Sequence, residues 1–521
     1  MKKSFKLVFV VALMAMLIIT GCSSNSSTGS KETSSSGAEG KKDKDTLLLA
    51  QSADITTLDP QNSLSTNGDR VFRNMFSRLF ARDVNMEIKP ELVESYENVD
   101  DVTWKFKLKS GVKFHNGDPL TAEDVKFSLE RVMTDKSLKE FPYFTQLKEI
   151  KVLDDQNLEI ITDGPMPTLL PLLAKSGADV MPKKYFEEVG LEEFMKKPVG
   201  SGPYQFVEWK RDDQVVLKGF GEYFGGKPKW KEVIVRAIPE SSTRVGELLT
   251  GGVDLATDIP PNEWDRIKNE KDVTLSTGDT TRVMLLVVRT TKGYATADPK
   301  VREAIDLAIN EKAIVDSVLK GTGVPVRSRV PKGVIGSNPD LYNSYVYDLE
   351  KAKKLLAEAG YKDNLEIELT APKGRYPLDG EVAQLVASML GEAGIKVNLK
   401  LLESSAFLDV YNSNSNKELI MIGLADGLLD ASYSLVHYTK GRAAGQTDYY
   451  NEEVEKLYHD AGRNLNGEER IKQYQKIQEI VAKERPHIFL FQQNANYGVS
   501  KGIDFKPRLD EVISFQDISV K

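Results

Sequence analysis

Trp104-Lys-Phe-Lys-Leu-Lys-Ser-Gly-Val-Lys-Phe-His-Asn-Gly-Asp-Pro-Leu-Thr-Ala-Glu-Asp-Val-Lys-Phe-Ser-Leu-Glu-Arg131 is the stretch on which the reading of this chain turns. Trp104, Phe106 and Leu108 alternate with Lys105, Lys107 and Lys109, the two-residue period of a half-buried strand. Asn116-Gly117 marks a tight turn, because both residues tolerate positive φ. Thr121, with Asp124 three residues on, has the form of a capping box. Ala122, Val125, Leu129 and Val132 then share one helical face. The stretch predicts a strand, a turn and a helix in succession; read physically, it names no function.

The N-terminus says where the chain goes. Lys2, Lys3 and Lys6 precede an apolar run from Leu7 to Ile19, the layout of a secretory signal peptide. The run is too short and too N-terminal for a permanent membrane helix. It ends Ile19-Thr20-Gly21-Cys22, which resembles a bacterial lipobox; that resemblance implies that the Cys22 thiol carries lipid and that Cys22 is the mature N-terminus. Cys22 is the only cysteine, so no intrachain disulfide forms. Residues 22–45 are rich in Ser, Gly and Lys, too poor in apolar groups to bury a core, and are expected to be a flexible tether. Removing residues 1–21 takes away three lysines and no acid, which moves the formal charge from −7 to −10 over the remaining 500 residues. That balance argues against nucleic acid as a partner. No later apolar run approaches membrane-spanning length, and no short repeat suggests a solenoid.

The order Gly111-Val-Lys-Phe-His-Asn-Gly117 closely resembles the signature of bacterial extracellular solute-binding proteins of the oligopeptide, dipeptide and nickel class, family 5. Other segments are similar to the family in the same order. Leu58-Asp59-Pro60 leads into a polar loop, Gln61 to Gly68, and an apolar stripe of Phe72, Met75, Phe76, Leu79 and Phe80 read as helical. Val199-Gly-Ser-Gly-Pro-Tyr204 continues through Trp209 to Tyr223-Phe-Gly-Gly226. Val283 to Val288 and Leu419 to Leu424 read as buried strands, with a polar loop from the latter to about Gln446. Helical patterns run from Leu349, from Glu452 to Ala461 and from Gly467 to Lys483, and Pro486 to Phe491 reads as a strand. The resemblance implies an α/β, two-lobed periplasmic-binding-protein-like fold with mixed sheets and an extra subdomain on the first lobe. Its expected division is a signal segment at 1–21, a tether at 22–45, lobe I at 46–85 with 203–282 and 490–521, the extra subdomain at 86–202, and lobe II at 283–489.

Catalytic chemistry finds little support. The four histidines, His115, His437, His459 and His487, form no metal-ligand spacing, and a Cys-x-x-Cys pair is excluded. There is no Gly-x-Ser-x-Gly and no P-loop; Ser110-Gly-Val-Lys113 fits Ser-x-x-Lys by chance inside the signature. No catalytic residue, metal or cofactor is therefore assigned.

The resemblance instead implies a lipid-anchored, monomeric receptor on the extracytoplasmic face of the cell membrane. It would capture peptides by hinge closure and deliver them to the permease subunits of an ABC transporter. A receptor for a nickel chelate or an oligosaccharide and, from another class, a secreted hydrolase are the rivals. With so few histidines, binding is expected to be insensitive to pH near neutrality. A peptide brings an α-ammonium, which needs a carboxylate where it is buried. Leu429-Asp-Ala-Ser-Tyr-Ser-Leu435 resembles the family's Asp-Pro-Asp-x-Phe-like loop, which implies Asp430 as that carboxylate, with Asp426 as the second choice. A purely structural alternative is that Asp430 caps a turn or helix. Aligned from Leu58-Asp59-Pro60, Ser65, Thr66 and Asn67 match the family loop that borders the ligand.

Overall fold

The computed structural model describes residues 45–362 and 364–521. The signal segment, Cys22 and the tether up to residue 44 lie outside the described residues. The deciding stretch folds as its pattern requires. Strand Thr103–Leu108 buries Phe106 and Leu108 and turns Lys105 and Lys107 outward. Gly117 takes the left-handed conformation of the turn at φ 91°. Helix Ala122–Thr134 follows, and the Asp124 carboxylate accepts from the Thr121 N–H at 2.8 Å and its hydroxyl at 3.0 Å. The strand belongs to a four-stranded antiparallel sheet in the order Val93–Asn98, Thr103–Leu108, Asn157–Thr162, Leu147–Val152. Val125, Leu129 and Val132 join Phe106, Leu158 and Ile160 in one apolar cluster beneath it.

Among the described residues the larger sheet has eleven strands, some parallel and some antiparallel. Its path runs Ile395–Glu403, Leu365–Lys373, Leu419–Leu424, Val273–Val288, His487–Ser500, Leu255–Ala256, Thr46–Gln51, Glu232–Ala237, Gln214–Gly219, Tyr204–Lys210, and Val324–Pro325 pairs with His487–Ser500 off that path. Two strands are unusually long, Val273–Val288 with 16 residues and His487–Ser500 with 14. They run antiparallel from one apolar core to another. Tyr497 and Val499 pack with Leu47, Val233 and Leu255, whereas Val283 to Val288 and Ile488 to Phe491 pack with Ile305, Leu369 and Val386. The result is a two-lobed α/β arrangement with mixed sheets, its lobes joined through shared strands. Between the cores the ladder breaks. Asp279 pairs with Asn494 and Val283 with Gln492, so Thr280, Thr281 and Arg282 stand opposite the single residue Gln493, a bulge in the strand.

Three readings of the sequence need correction. The stripe from Phe72 to Phe80 is helical only as far as Met75; Phe76 is extended at φ −114°, ψ 150°, and Phe80 opens strand Phe80–Arg82. All five apolar residues are buried, so burial was read correctly and the period was not. The polar loop expected through Gly68 ends at Ser65, the N-cap of helix Thr66–Met75. The segment after Leu419–Leu424 is also less open than expected, since it holds the short helices Ala431–Leu435 and Lys440–Ala443.

Candidate functional site

The ladder break positions a site. Thr281 is held there in a reciprocal pair with Asp426: its hydroxyl donates to the Asp426 carbonyl at 3.1 Å and accepts the Asp426 N–H at 3.0 Å. Arg282 donates to the Thr66 hydroxyl at 3.1 Å and pairs with Glu511 at 3.0 Å. Around these residues lies a cavity of about 280 Å³. An outer cavity of about 470 Å³ shares Leu64, Thr66, Arg282 and Arg375 with it.

Two walls of the inner cavity meet in an aromatic clamp. Tyr143, from the turn Phe141–Tyr143, stacks on Tyr433, from helix Ala431–Leu435, with centroids 4.5 Å apart and planes at 19°. The Lys175 ammonium sits 4.9 Å and 5.6 Å from the two ring centroids and pairs with Glu140. Burial pushes the Glu140 carboxyl up to about 7, against the pull of Lys175. Arg82 adds a further strut by donating to the Leu428 carbonyl at 2.7 Å.

Asp426 is 1 % exposed and lines the cavity. Its carboxylate accepts from the Ser434 hydroxyl at 2.6 Å and from the backbone N–H groups of Leu428 and Asp430 at 3.1 Å and 3.3 Å. Among the described residues no Lys, Arg or His nitrogen lies within 4.0 Å of it. Burial pushes it up to about 6; the Asp430 charge adds to that rise, while the Ser434 bond and the Arg329 charge oppose it.

Asp430, the first choice from the sequence, is placed otherwise. Arg470, on helix Gly467–Glu484, forks onto both of its oxygens at 2.6 Å and 2.7 Å. One of those oxygens also accepts from the Ser432 N–H at 3.1 Å, so Asp430 caps helix Ala431–Leu435. It is 2 % exposed and is not among the residues lining the cavity. Its acceptor capacity is already taken by a guanidinium and a helix end.

Thr66 lines both cavities, while Ser65 and Asn67 border only the outer one. Asn67 is occupied in accepting from Arg70 at 2.9 Å.

The walls are strongly cationic. Nine Arg and Lys side chains line the inner cavity against four carboxylates. Five of the nine have carboxylate partners: Arg73 with Glu91, Arg78 with Asp179, Lys175 with Glu140, Arg282 with Glu511 and Arg508 with Asp510. Arg82, Arg329, Arg375 and Arg442 have none within 4.0 Å among the described residues. The sequence reading missed all four, and also Tyr143 and Lys175; scattered arginines in a chain with 70 basic residues carry no local signal. Among the described residues no group of three His, Cys, Asp or Glu is placed to hold a metal, and no helix is long and apolar enough to cross a membrane.

Comparison with known proteins identifies this arrangement. Residues 87–446 match the family of bacterial extracellular solute-binding proteins, family 5 Middle. The chain belongs to that family. It is 28% identical to the probable D,D-dipeptide-binding periplasmic protein DdpA of Escherichia coli strain K12 over 497 residues, covering 91% of this chain and 94% of that protein. The structure of DppA from Helicobacter pylori, an ABC transporter-associated periplasmic binding protein in complex with the peptide STSA, is similar at a TM-score of 0.84 and 26% identity, covering 91% of this chain and 98% of DppA. NikA from Staphylococcus aureus in complex with Ni(L-His)2 is similar at a TM-score of 0.80 and 25% identity, covering 92% of this chain and all of NikA. The family member described here is thus a binding protein rather than an enzyme. It is of the class that delivers substrates to ABC transporters, and its two-lobed fold is that of the periplasmic binding proteins.

Proposed function

We propose that this chain is a peptide receptor, tethered to the extracytoplasmic face of the membrane through lipid on Cys22, that closes on its ligand and presents it to the permease subunits of an ABC transporter. The observation that carries the reading is Asp426. Among the described residues, a buried carboxylate with no cationic partner stands on the wall of a cavity whose other walls hold arginines with no carboxylate partner. That is the charge pattern of a zwitterion in relief: a ligand ammonium relieves Asp426, and a ligand carboxylate relieves an arginine. Thr66, at the boundary of the two cavities, and the rim residues Ser65 and Asn67 add short polar groups for the ligand's main chain.

The proposed mechanism is closure about the two long strands, with residues 46–85, 203–282 and 490–521 forming lobe I, 86–202 its extra subdomain and 283–489 lobe II. A ligand touching both lobes shifts the equilibrium toward the closed form. The Tyr143–Tyr433 stack, the Lys175 ammonium over both rings and the Arg82 strut are contacts that closure brings together. A monomer suffices, because every group named lies on one chain.

The test is mass spectrometry of the ligand carried through purification and released by denaturation. Recovery of intact peptides supports the reading; recovery of a nickel chelate or a sugar in stoichiometric amount, with no peptide, overturns it.

A further inference from the structure

One end of the inner cavity carries more positive charge than a simple peptide can use. Arg375 lies where the inner and outer cavities join, held by the Tyr376 hydroxyl at 3.0 Å and the Ser404 hydroxyl at 3.3 Å. It suffices for one terminal carboxylate. Arg329, His437 and Arg442 line only the inner cavity. Arg329 is 3 % exposed, yet its guanidinium makes a single hydrogen bond among the described residues, from Nη1 to the Ser434 carbonyl at 3.1 Å, and its buried Nε has no acceptor. A buried guanidinium with most of its donors unused is costly unless an anion completes it. His437 is equally buried, and Arg329 and Arg442 both act on it. An imidazole held neutral beside two guanidiniums offers an N–H to an anion without adding a competing charge. Asp426, whose charge acts on Arg329 across the cavity, already accepts three hydrogen bonds and lies beyond ion-pair distance of Arg329.

We propose that Arg329, His437 and Arg442 form an anion subsite that receives a second carboxylate of the ligand, so that this receptor selects acidic peptides over neutral ones. The proposal rests on the peptide reading above for the ligand's frame, and on the unmatched arginines for its charge. Guanidinium groups suit it because they bind carboxylates in a fork, with a defined direction, and stay charged at any working pH. The subsite lies on the second lobe near the loop that carries Asp426, so a ligand would present its ammonium and its extra carboxylate to neighbouring groups.

The experiment is calorimetry with isosteric pairs. Di- and tripeptides of alanine carrying one glutamate or one glutamine at each position are compared, so that every member keeps its terminal charges. A parallel series compares glutarate with its monoamide. The expected result is at least a tenfold preference for glutamate at one position. Arg329→Gln should abolish that preference and leave the glutamine member within about twofold of its original affinity. If Arg329→Gln fails to fold, as a melting curve would show, the exposed Arg442→Gln carries the same test. Equal binding of acid and amide at every position overturns the subsite and leaves the peptide reading standing. Binding of glutarate over its monoamide in an Arg329-dependent way, with no peptide bound, upholds the subsite and overturns the peptide reading. Binding of no member of either series overturns both.

Discussion

Asp426→Asn keeps the shape of the side chain and removes its charge. In the empty protein that charge is expensive, because burial has raised the carboxyl from its ordinary 3.8 to about 6. The difference corresponds to about 3 kcal/mol. The folded-state value lies above the unfolded one. The fold therefore carries the cost in full above pH 6 and sheds it as the pH falls toward 3.8. At pH 7.5 the empty Asn variant should accordingly melt at a higher temperature than the parent, by an amount bounded by that figure. The same substitution should cost about 2–5 kcal/mol of affinity for a peptide with a free amino group, a loss of roughly 30-fold to several thousand-fold. N-acetylated peptide should bind the parent and the variant alike. In the parent, affinity for the free-amine peptide should fall as the pH drops through about 6, approaching tenfold per pH step, while the acetylated peptide shows no such slope. Calorimetry across pH 5 to 8 and thermal melts read all of this. Equal affinity of the parent for free and acetylated peptide would refute the reasoning at its root, because no carboxylate would then be reading the amine.

Asp430→Asn leaves the Arg470 guanidinium buried without a counter-charge and should cost about 3–5 kcal/mol of stability. A lowered melting temperature with amine discrimination intact at low temperature is the expected pair of results, and loss of discrimination would return the amine site to Asp430. Tyr433→Leu removes the stack on Tyr143 and the ring contact with Lys175, for about 1 kcal/mol or roughly fivefold in affinity; small-angle scattering should show a smaller ligand-induced contraction than in the parent. Thr66→Trp places bulk on the boundary of the two cavities and should weaken peptide binding by roughly tenfold or more without lowering the melting temperature, since cavity space rather than core packing is lost. Cys22→Ala should move the protein from the membrane fraction to the medium, and unchanged membrane retention would remove the proposed anchor.

The part of the fold written in local pattern was legible. The alternation at Trp104, Phe106 and Leu108, the Thr121–Asp124 box and the strand Leu419–Leu424 each depend on neighbours in sequence, and each is where the pattern put it. The stripe around Phe72 failed because apolar residues at 72, 75, 76, 79 and 80 fit a helix and a helix followed by buried extended chain equally well. The site was less legible for a physical reason. Asp426 and Asp430 are chemically identical and four residues apart. What separates their surroundings is Arg470, forty positions away, which occupies one of them, and Thr281, 145 positions away, which fixes the other against the cavity. The expectation of pH-insensitive binding counted only histidines. His437 and His487 are held neutral by burial, and the groups left out of that count are Asp426 and Glu140, which burial brings to about 6 and about 7.

The broken ladder between Asp279 and Val283 also bears on how such a molecule could be recombined. In an unbroken strand, adding or deleting one residue reverses every side chain beyond the change. Here Thr280, Thr281 and Arg282 are absorbed opposite Gln493, so the pairing on either side is set independently. A graft that exchanges one lobe for that of a relative, cut at this bulge and at its partner position, need not preserve strand length across the seam. What it must carry along is the Thr281–Asp426 bond pair, because the seam and the cavity wall are fastened to each other there. A chimera that keeps Thr281 inherits a working junction; one that replaces it with valine joins two sound lobes through a loosened seam.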